Sequence, residues 1–347
     1  MEITSVDEKI ISFINTRIKK YFPEIKKIKD FEYDVKRYEY FDIYAFFINS
    51  HKKPQLEVKT SSLSFGKQYL TNEVENINLL RKQKGFPEYS IQKPLEIFEV
   101  EGKTGVALTY LSGHEITHLN DSIIRDSIIP WLIDFHTSTK TELRNPENYI
   151  ESMLFYHEVF FNIGVKEKRF IERLKSFIKK NKMNFGYYKH DDFDLENMVI
   201  NGKKLRVKNF YYPLVPKLPM GELFSLYEHH YKKNQKKGLE KVFSFFNASE
   251  FKFVIDRKFL ELVDPYLEAL DINKAAINYL FFIHWVDYAN NVCSELIRMT
   301  PDIHEILEDG KTMTFKDKVE FWKKMKKIHN MELDLVNGTP AIFGDLL

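Results

Sequence analysis

The sequence predicts an α+β chain of two lobes, a small antiparallel-sheet lobe followed by a larger, mainly helical one. Three observations carry this. The first third of the chain alternates in short runs bounded by turn residues, the pattern of half-buried strands. After Gly113 almost every segment has the helical period instead. One interruption stands out in the helical part, a strand pair around Asn201-Gly202, a dipeptide that favours tight hairpins.

Taken in order, Ser5 and Glu8 form a capping-box pattern, and Ile10, Ile11, Phe13, Ile14 and Ile18 recur at helical spacing. The chain therefore opens with an amphipathic helix. Phe41–Ile48 and Gln55–Lys59 read as strands separated by a turn-like stretch, and Gly66–Lys84 reads as one helix. Leu95–Val100 and Val106–Leu111 form a second hairpin pattern. Ser112-Gly113 then reads as a short hinge, which divides the chain into residues 1–112 and residues 113–347. Beyond it, helices are expected over 122–136, 146–162, 166–182, 220–232 and onward to Asp334, with strands at Met198–Asn201 and Lys204–Phe210.

Composition narrows the functional classes. A chain of 347 residues that is 44% hydrophobic and 15% aromatic has ample material for sizeable cores. Its 52 basic and 50 acidic residues leave a net charge of +2, which gives no field of the kind that draws proteins onto nucleic acid. The basic run Lys232–Lys237 reads as a solvated helix end. The single cysteine, Cys293, excludes an internal disulfide framework and fits a reducing compartment. The N-terminus has acids where an export signal needs bases, and the most apolar helix, 275–292, contains His284, Asp287, Asn290 and Asn291. A soluble cytoplasmic protein with neither a membrane nor a nucleic-acid partner is expected.

The most informative stretch is HDDFDLENMVINGKKLRVKNFY, which places His190, Asp192 and Asn197 in the spacing His-x-Asp-x-x-x-x-Asn just before a hairpin. A loop Asp can accept the proton of an attacking hydroxyl while an Asn five residues on holds a metal against phosphates. A second motif, His114-Glu115-x-x-His118, matches the zinc-peptidase pattern literally, and a zinc hydrolase is the remote alternative. That chemistry needs both imidazoles on one helical face. Here the motif follows a strand directly and runs into Asn120-Asp121, so it reads as a polar hinge segment.

Several separated features resemble one family, the aminoglycoside phosphotransferase and choline kinase group, which shares the protein-kinase-like fold. The resemblance covers roughly residues 31–270. In QLEVKTSS it implies that Lys59 ends a third strand and holds nucleotide phosphates, and in YLTNEVENINLL that Glu73 is its ion-pair partner, with Glu75 the lesser candidate. LTYLSG resembles the linker between lobes, so Thr109, Tyr110 and Leu111 would offer backbone groups to a purine. WLIDFH, ending at His136, looks like the helix preceding the catalytic loop by several elements. Asp192 matches the catalytic base, Asn197 a metal ligand, and His190 a loop histidine that orients backbone.

Three positions depart from the family's pattern. FEYDVKRYEYFDIY contains no glycine to wrap phosphates. Asp191 stands where the family has Gly. Asn209 stands where the family has a magnesium-binding Asp, with Asp191, Asp194 and Glu196 near enough in sequence to compensate. The resemblance implies an ATP- or GTP-dependent, magnesium-assisted transfer of a phosphoryl group to a hydroxyl of a sugar, amino sugar, amino alcohol or nucleoside-like molecule. Residues 1–112 would take the nucleotide, and 113–347 would carry the catalytic loop and the acceptor site. Asn209 makes a nucleotide-binding or inert pseudokinase the alternative. Because 222–241 is mixed to basic, a polycationic aminoglycoside is not favoured as the acceptor.

Overall fold

A computed structural model describes residues 5–21, 31–38, 43–50, 53–142 and 185–231, with shorter pieces at 175–176, 179, 246–247, 252–253, 255–277, 280–281 and 284. The helices expected over 146–162 and 166–182, Cys293 and the basic run 232–237 lie wholly or largely outside the described residues. The chain divides into two compact units, one of residues 1–139 with 188–215 and the other of residues 140–187 with 216–347.

In the first unit, helix α1 (Ser5–Tyr21) precedes a five-stranded antiparallel sheet of order β1-β2-β3-β5-β4. Its strands are β1 (Phe31–Tyr38), β2 (Ile43–Ser50), β3 (Lys53–Ser61), β4 (Pro94–Val100) and β5 (Lys103–Thr109). Because strand side chains alternate between faces, Leu56 and Val58 point one way and Glu57 and Lys59 the other. Leu56, Val58, Phe98 and Ala107 pack with Ile10 and Ile14, which lie one helical turn apart on α1. The β4–β5 loop has positive φ at both Glu101 and Gly102, as the two-residue turn matching strand twist requires.

Helix α2 (Ser64–Arg81) follows β3. Its buried stripe is Leu70, Glu73, Val74, Ile77 and Leu80, a 3.6-residue period that carries one carboxylate among apolar residues. After β5 the linker leads into β6 (His114–Glu115), which pairs antiparallel with β9 (Met198–Asn201), itself paired with β10 (Lys204–Val207). Gly113 is required there, since a Cβ would lie 2.8 Å from the Ile200 carbonyl oxygen. The expected helix 122–136 runs as α3 (Asp121–Ile123), a π-helical turn over Ile124–Ile128, and α4 (Ile129–Thr139). Asn120 caps its start, accepting from the Ile123 N–H at 2.9 Å.

Two details of the hairpin differ from the sequence expectation. The turn residues are Gly202 and Lys203, because Asn201 already pairs with Lys204, and Gly202 takes the positive φ of +64°. The second strand stops at Val207 rather than Phe210. Asn209 adopts φ +67°, a left-handed backbone that ends strand pairing and that Asn tolerates better than most residues.

The second unit contains β7 (Thr141–Glu142), β8 (Phe185–Tyr188) and β11 (Pro216–Lys217) in a small sheet, helix α5 (Gly221–Leu226) continuing into a π-helical turn at Tyr227–Tyr231, a short β12–β13 pair (Phe246–Asn247 and Lys252–Phe253), and helix α6 (Arg257–Ala269). Phe259, Val263, Tyr266 and Leu267 form the buried stripe of α6, and Asp256 caps it by accepting from the Lys258 N–H. The class is α+β, with the small sheet and the helices in the order expected. Among the described residues no helix is long and apolar enough to cross a membrane.

Candidate active site

The first unit buries a polar cluster between β3 and α2. Lys59 lies on the α2-side face of β3, and Glu73 lies in the buried stripe of α2, both at 0% exposure. A buried charge is tolerated only when paired and hydrogen-bonded. Lys59 Nζ donates to Glu73 Oε1 at 2.7 Å and Oε2 at 2.9 Å, and to Asn209 Oδ1 at 2.7 Å. Glu75 is exposed on the opposite side of the helix. Burial pushes the Glu73 carboxyl up from its ordinary range, and the Lys59 charge opposes that rise.

From Asn209 the network continues in one direction. Its Nδ2 donates to Asn197 Oδ1 at 2.5 Å, and Asn197 Nδ2 donates to Asp192 Oδ2 at 2.8 Å and to the Asp192 carbonyl at 2.8 Å. An ammonium, two amides and a carboxylate are thus joined with every donor pointing toward Asp192. In such a chain each bond polarises the next. Asn197 and Asn209 are 1% and 4% exposed, so water does not compete for these bonds.

Local structure explains why the loop holds this form. The Asn197 N–H donates to the Asp194 carbonyl and the Lys208 N–H to the Asn197 carbonyl, both at 3.0 Å, which ties the loop to the second hairpin strand. His190 Nε2 donates to the Lys208 carbonyl at 2.9 Å, fixing the backbone one residue before Asn209. Phe193 stacks on Trp131 with centroids 5.5 Å apart, and Trp131 stacks on Phe135 at 4.8 Å, so the loop is anchored on α4.

Sequence reasoning missed the residues that hold position 209 from α2. Asn76 Nδ2 donates to the carbonyls of Phe210 and Tyr212, each at 2.8 Å, and Asn72 Nδ2 to that of Tyr211 at 3.1 Å. Both asparagines lie within one turn of Glu73, so the helical period was the available signal. It missed Glu57 and Gln92 as well, although Glu57 stands two residues before Lys59 and so shares its face of β3.

In the linker, the Thr109 N–H donates to the Lys93 carbonyl at 3.0 Å, and the Thr109 carbonyl accepts from Gln92 Nε2 at 3.2 Å. Burial and the charges of Glu57 and Glu115 push the Tyr110 hydroxyl above its ordinary range. The zinc motif does not assemble. His114 and Glu115 are exposed strand residues and His118 is an exposed loop residue, so no helix brings the two imidazoles together.

The candidate metal ligands fare no better as they stand. A hard divalent cation needs several oxygens, carboxylates foremost. Asn197 and Asn209 supply amide oxygens, and each already accepts a short hydrogen bond. Asp191 is drawn to Lys189 at 3.1 Å, and Glu196 is exposed, its carboxyl raised by partial burial and by the charges of Asp192 and Asp194. Among the described residues no group of three or more His, Cys, Asp or Glu gathers to hold a metal. The residues do not fit magnesium in this arrangement.

No family model matches the chain, and no curated protein matches it. Solved structures resemble it in outline. An aminoglycoside phosphotransferase, APH(3'')-Id from Streptomyces rimosus, is 11% identical over 81% of this chain and 98% of its own, with a TM-score of 0.45. A thermostable mutant of aminoglycoside phosphotransferase APH(4)-Ia, solved as a ternary complex with ADP and hygromycin B, is 11% identical over 96% of this chain and 98% of its own, with a TM-score of 0.46. Macrolide 2'-phosphotransferase MphH from Brachybacterium faecium is 8% identical over 86% and 93%, with a TM-score of 0.48. At such identities and TM-scores the likeness assigns no residue role and no substrate to this chain.

Proposed function

We propose that this protein is a nucleotide-dependent phosphotransferase that moves a terminal phosphoryl group from ATP or GTP to a hydroxyl of a small molecule. The observation supporting this reading is the unbroken hydrogen-bonded chain Lys59–Asn209–Asn197–Asp192. It joins a cation suited to phosphates with a carboxylate suited to a hydroxyl proton. Residues 1–112 take the nucleotide and residues 113–347 the acceptor. Lys59, fixed by Glu73, holds the phosphates, and the linker at Thr109, Tyr110 and Leu111 lies beside the base.

Asp192 is the general base. Asn197 donates to its Oδ2 and so orients the carboxylate, leaving Oδ1 to take the proton as the hydroxyl attacks phosphorus. His190 holds the backbone that presents Asn209. Catalysis on this reading is positioning plus electrostatic stabilisation. The acceptor class is a sugar, amino sugar, amino alcohol or nucleoside-like alcohol.

One observation favours a second reading, nucleotide binding without transfer. An amide at position 209 removes a negative charge from the site, and the amide oxygens of Asn209 and Asn197 already accept hydrogen bonds, which deprives transfer of the cation it would use while leaving Lys59 in place. The test is nucleotide turnover with a panel of hydroxyl acceptors, beside nucleotide-induced thermal shifts. Asp192→Ala should lower transfer by about 10²-fold or more while leaving the shift intact. A shift without turnover in the parent protein selects the second reading, and no shift with either nucleotide overturns both.

A further inference from the structure

We propose that Glu57 and Gln92 read the base of the bound nucleotide, selecting a heterocycle that presents adjacent N–H donors, as guanine does, over adenine; this rests on the nucleotide reading above. Glu57 stands between the two ends of that nucleotide site. On one side its Oε1 is 3.8 Å from Lys59 Nζ. On the other, Gln92 Nε2 donates both to Glu57 Oε2 at 2.8 Å and to the Thr109 carbonyl at 3.2 Å, which ties the carboxylate to the linker.

Thr109 has little left to offer a base. Its N–H is given to Lys93, its carbonyl takes Gln92, and its hydroxyl accepts from the Lys93 N–H at 2.8 Å. Two further acceptors beside Thr109 are on side chains. Among the described residues neither Glu57 Oε1 nor Gln92 Oε1 accepts a hydrogen bond. The Gln92 orientation is fixed, because its nitrogen faces two oxygens. Glu57 is 2% and Gln92 1% exposed, so both oxygens belong to side chains held in the interior.

Two buried acceptors that take no hydrogen bond, one of them the carboxylate oxygen 3.8 Å from the Lys59 ammonium, favour a ligand edge made of donors. Guanine offers its ring N1–H and its 2-amino group side by side. Hypoxanthine keeps the ring N–H and lacks the amino group. Adenine turns a bare ring nitrogen to the same place, setting a lone pair against a carboxylate.

The test is calorimetric titration of the full chain with GTP, ITP and ATP, repeated on Glu57→Gln. The substitution keeps the side chain's size but puts a donor among the acceptors, and the unliganded melting temperature confirms that the variant folds. The parent protein should bind GTP about tenfold or more tighter than ATP, with ITP between them, and Glu57→Gln should erase or invert that order. Equal affinities in the parent, or an order unchanged by the substitution, overturn the base-reading role alone. So does a uniform gain in affinity for all three nucleotides in Glu57→Gln, which would mean that the carboxylate merely repels phosphates. Failure of all three to bind the parent overturns the nucleotide reading itself, and this inference with it.

Discussion

Lys59 and Asn209, 150 positions apart in sequence, meet at 2.7 Å, with the lysine ammonium donating to the amide oxygen. The contact fixes which way the Asn209 amide points. Once its oxygen is taken by Lys59, its nitrogen must face Asn197, whose nitrogen must then face Asp192. The positive end of the cluster therefore sets the orientation of the Asp192 carboxylate through two amides.

Lys59 is the keystone for stability. Removing one partner of a buried pair leaves an uncompensated charge and costs about 3–5 kcal/mol. Lys59→Met should show that loss in chemical denaturation, and Lys59→Met/Glu73→Gln should recover part of it. The pH dependence gives a second check. Burial already raises the Glu73 carboxyl above its ordinary value of 4.5, and losing Lys59 raises it further. A folded-state value above the unfolded one means stability is fully present below pH 4.5 and is lost as pH rises through the folded value. Relative to the parent, the single variant should thus be less impaired near pH 4 than at pH 7. An equal deficit at both would show that Glu73 stays ionised without its partner.

Asn76 should matter more for the site than its place on a helix suggests. Its amide satisfies the carbonyls of Phe210 and Tyr212, immediately after the left-handed Asn209. Asn76→Ala removes both bonds and should cost about 1–3 kcal/mol. It should also weaken nucleotide binding, because residue 209 loses its restraint. Unchanged nucleotide-induced stabilisation in the variant would assign Asn76 to folding only.

How much of this was legible in the sequence depends on the range of the signal. The strands, α2 and the hairpin followed from local periodicity and turn chemistry, which neighbouring residues decide. Asp192 and Asn197 were legible because both lie on one short loop. The early end of β10 was not, since only contacts with α2 and β3 show that position 209 is held in a left-handed conformation. Glu57 and Gln92 were equally hidden. Their pairing spans 35 positions, and a polar residue on a strand reads as solvated until its burial is known.

The packing of α1 against the sheet should be sensitive to acid. Glu96 on β4 accepts from the Tyr21 hydroxyl at 2.5 Å and pairs with Arg17 at 3.4 Å and Lys20 at 3.3 Å. The Tyr21 bond, ahead of the two cations, holds the Glu96 carboxyl below its ordinary range. For a lowered carboxyl, the stabilisation is present above pH 4.5 and is lost as pH falls through the folded value. Glu96→Gln should cost about 1 kcal/mol at pH 7 and progressively less below pH 4.5. Melting curves of both proteins from pH 7 to pH 3 check this, and a constant difference would show that the carboxylate charge contributes nothing.

Asn209→Asp tests whether the amide stands in for a cation. In the parent protein the Asn209 nitrogen donates to Asn197 Oδ1 at 2.5 Å, so an N–H group fills the space between the two residues. An ionised Asp has no donor, and two oxygens would face each other there. Asp tolerates the positive φ as Asn does, so backbone strain does not confuse the result. Without divalent cations the variant should lose about 1–3 kcal/mol, offset in part by a stronger attraction to Lys59. Magnesium or manganese at about 100 times its dissociation constant should then return about 2.7 kcal/mol, because a cation can bridge the facing oxygens. The parent, whose amide oxygens are already spent, should melt at the same temperature with or without the metal. If Asn209→Asp gains no more from the cation than the parent does, position 209 does not face a cation site, and the amide is there to orient Asn197 alone.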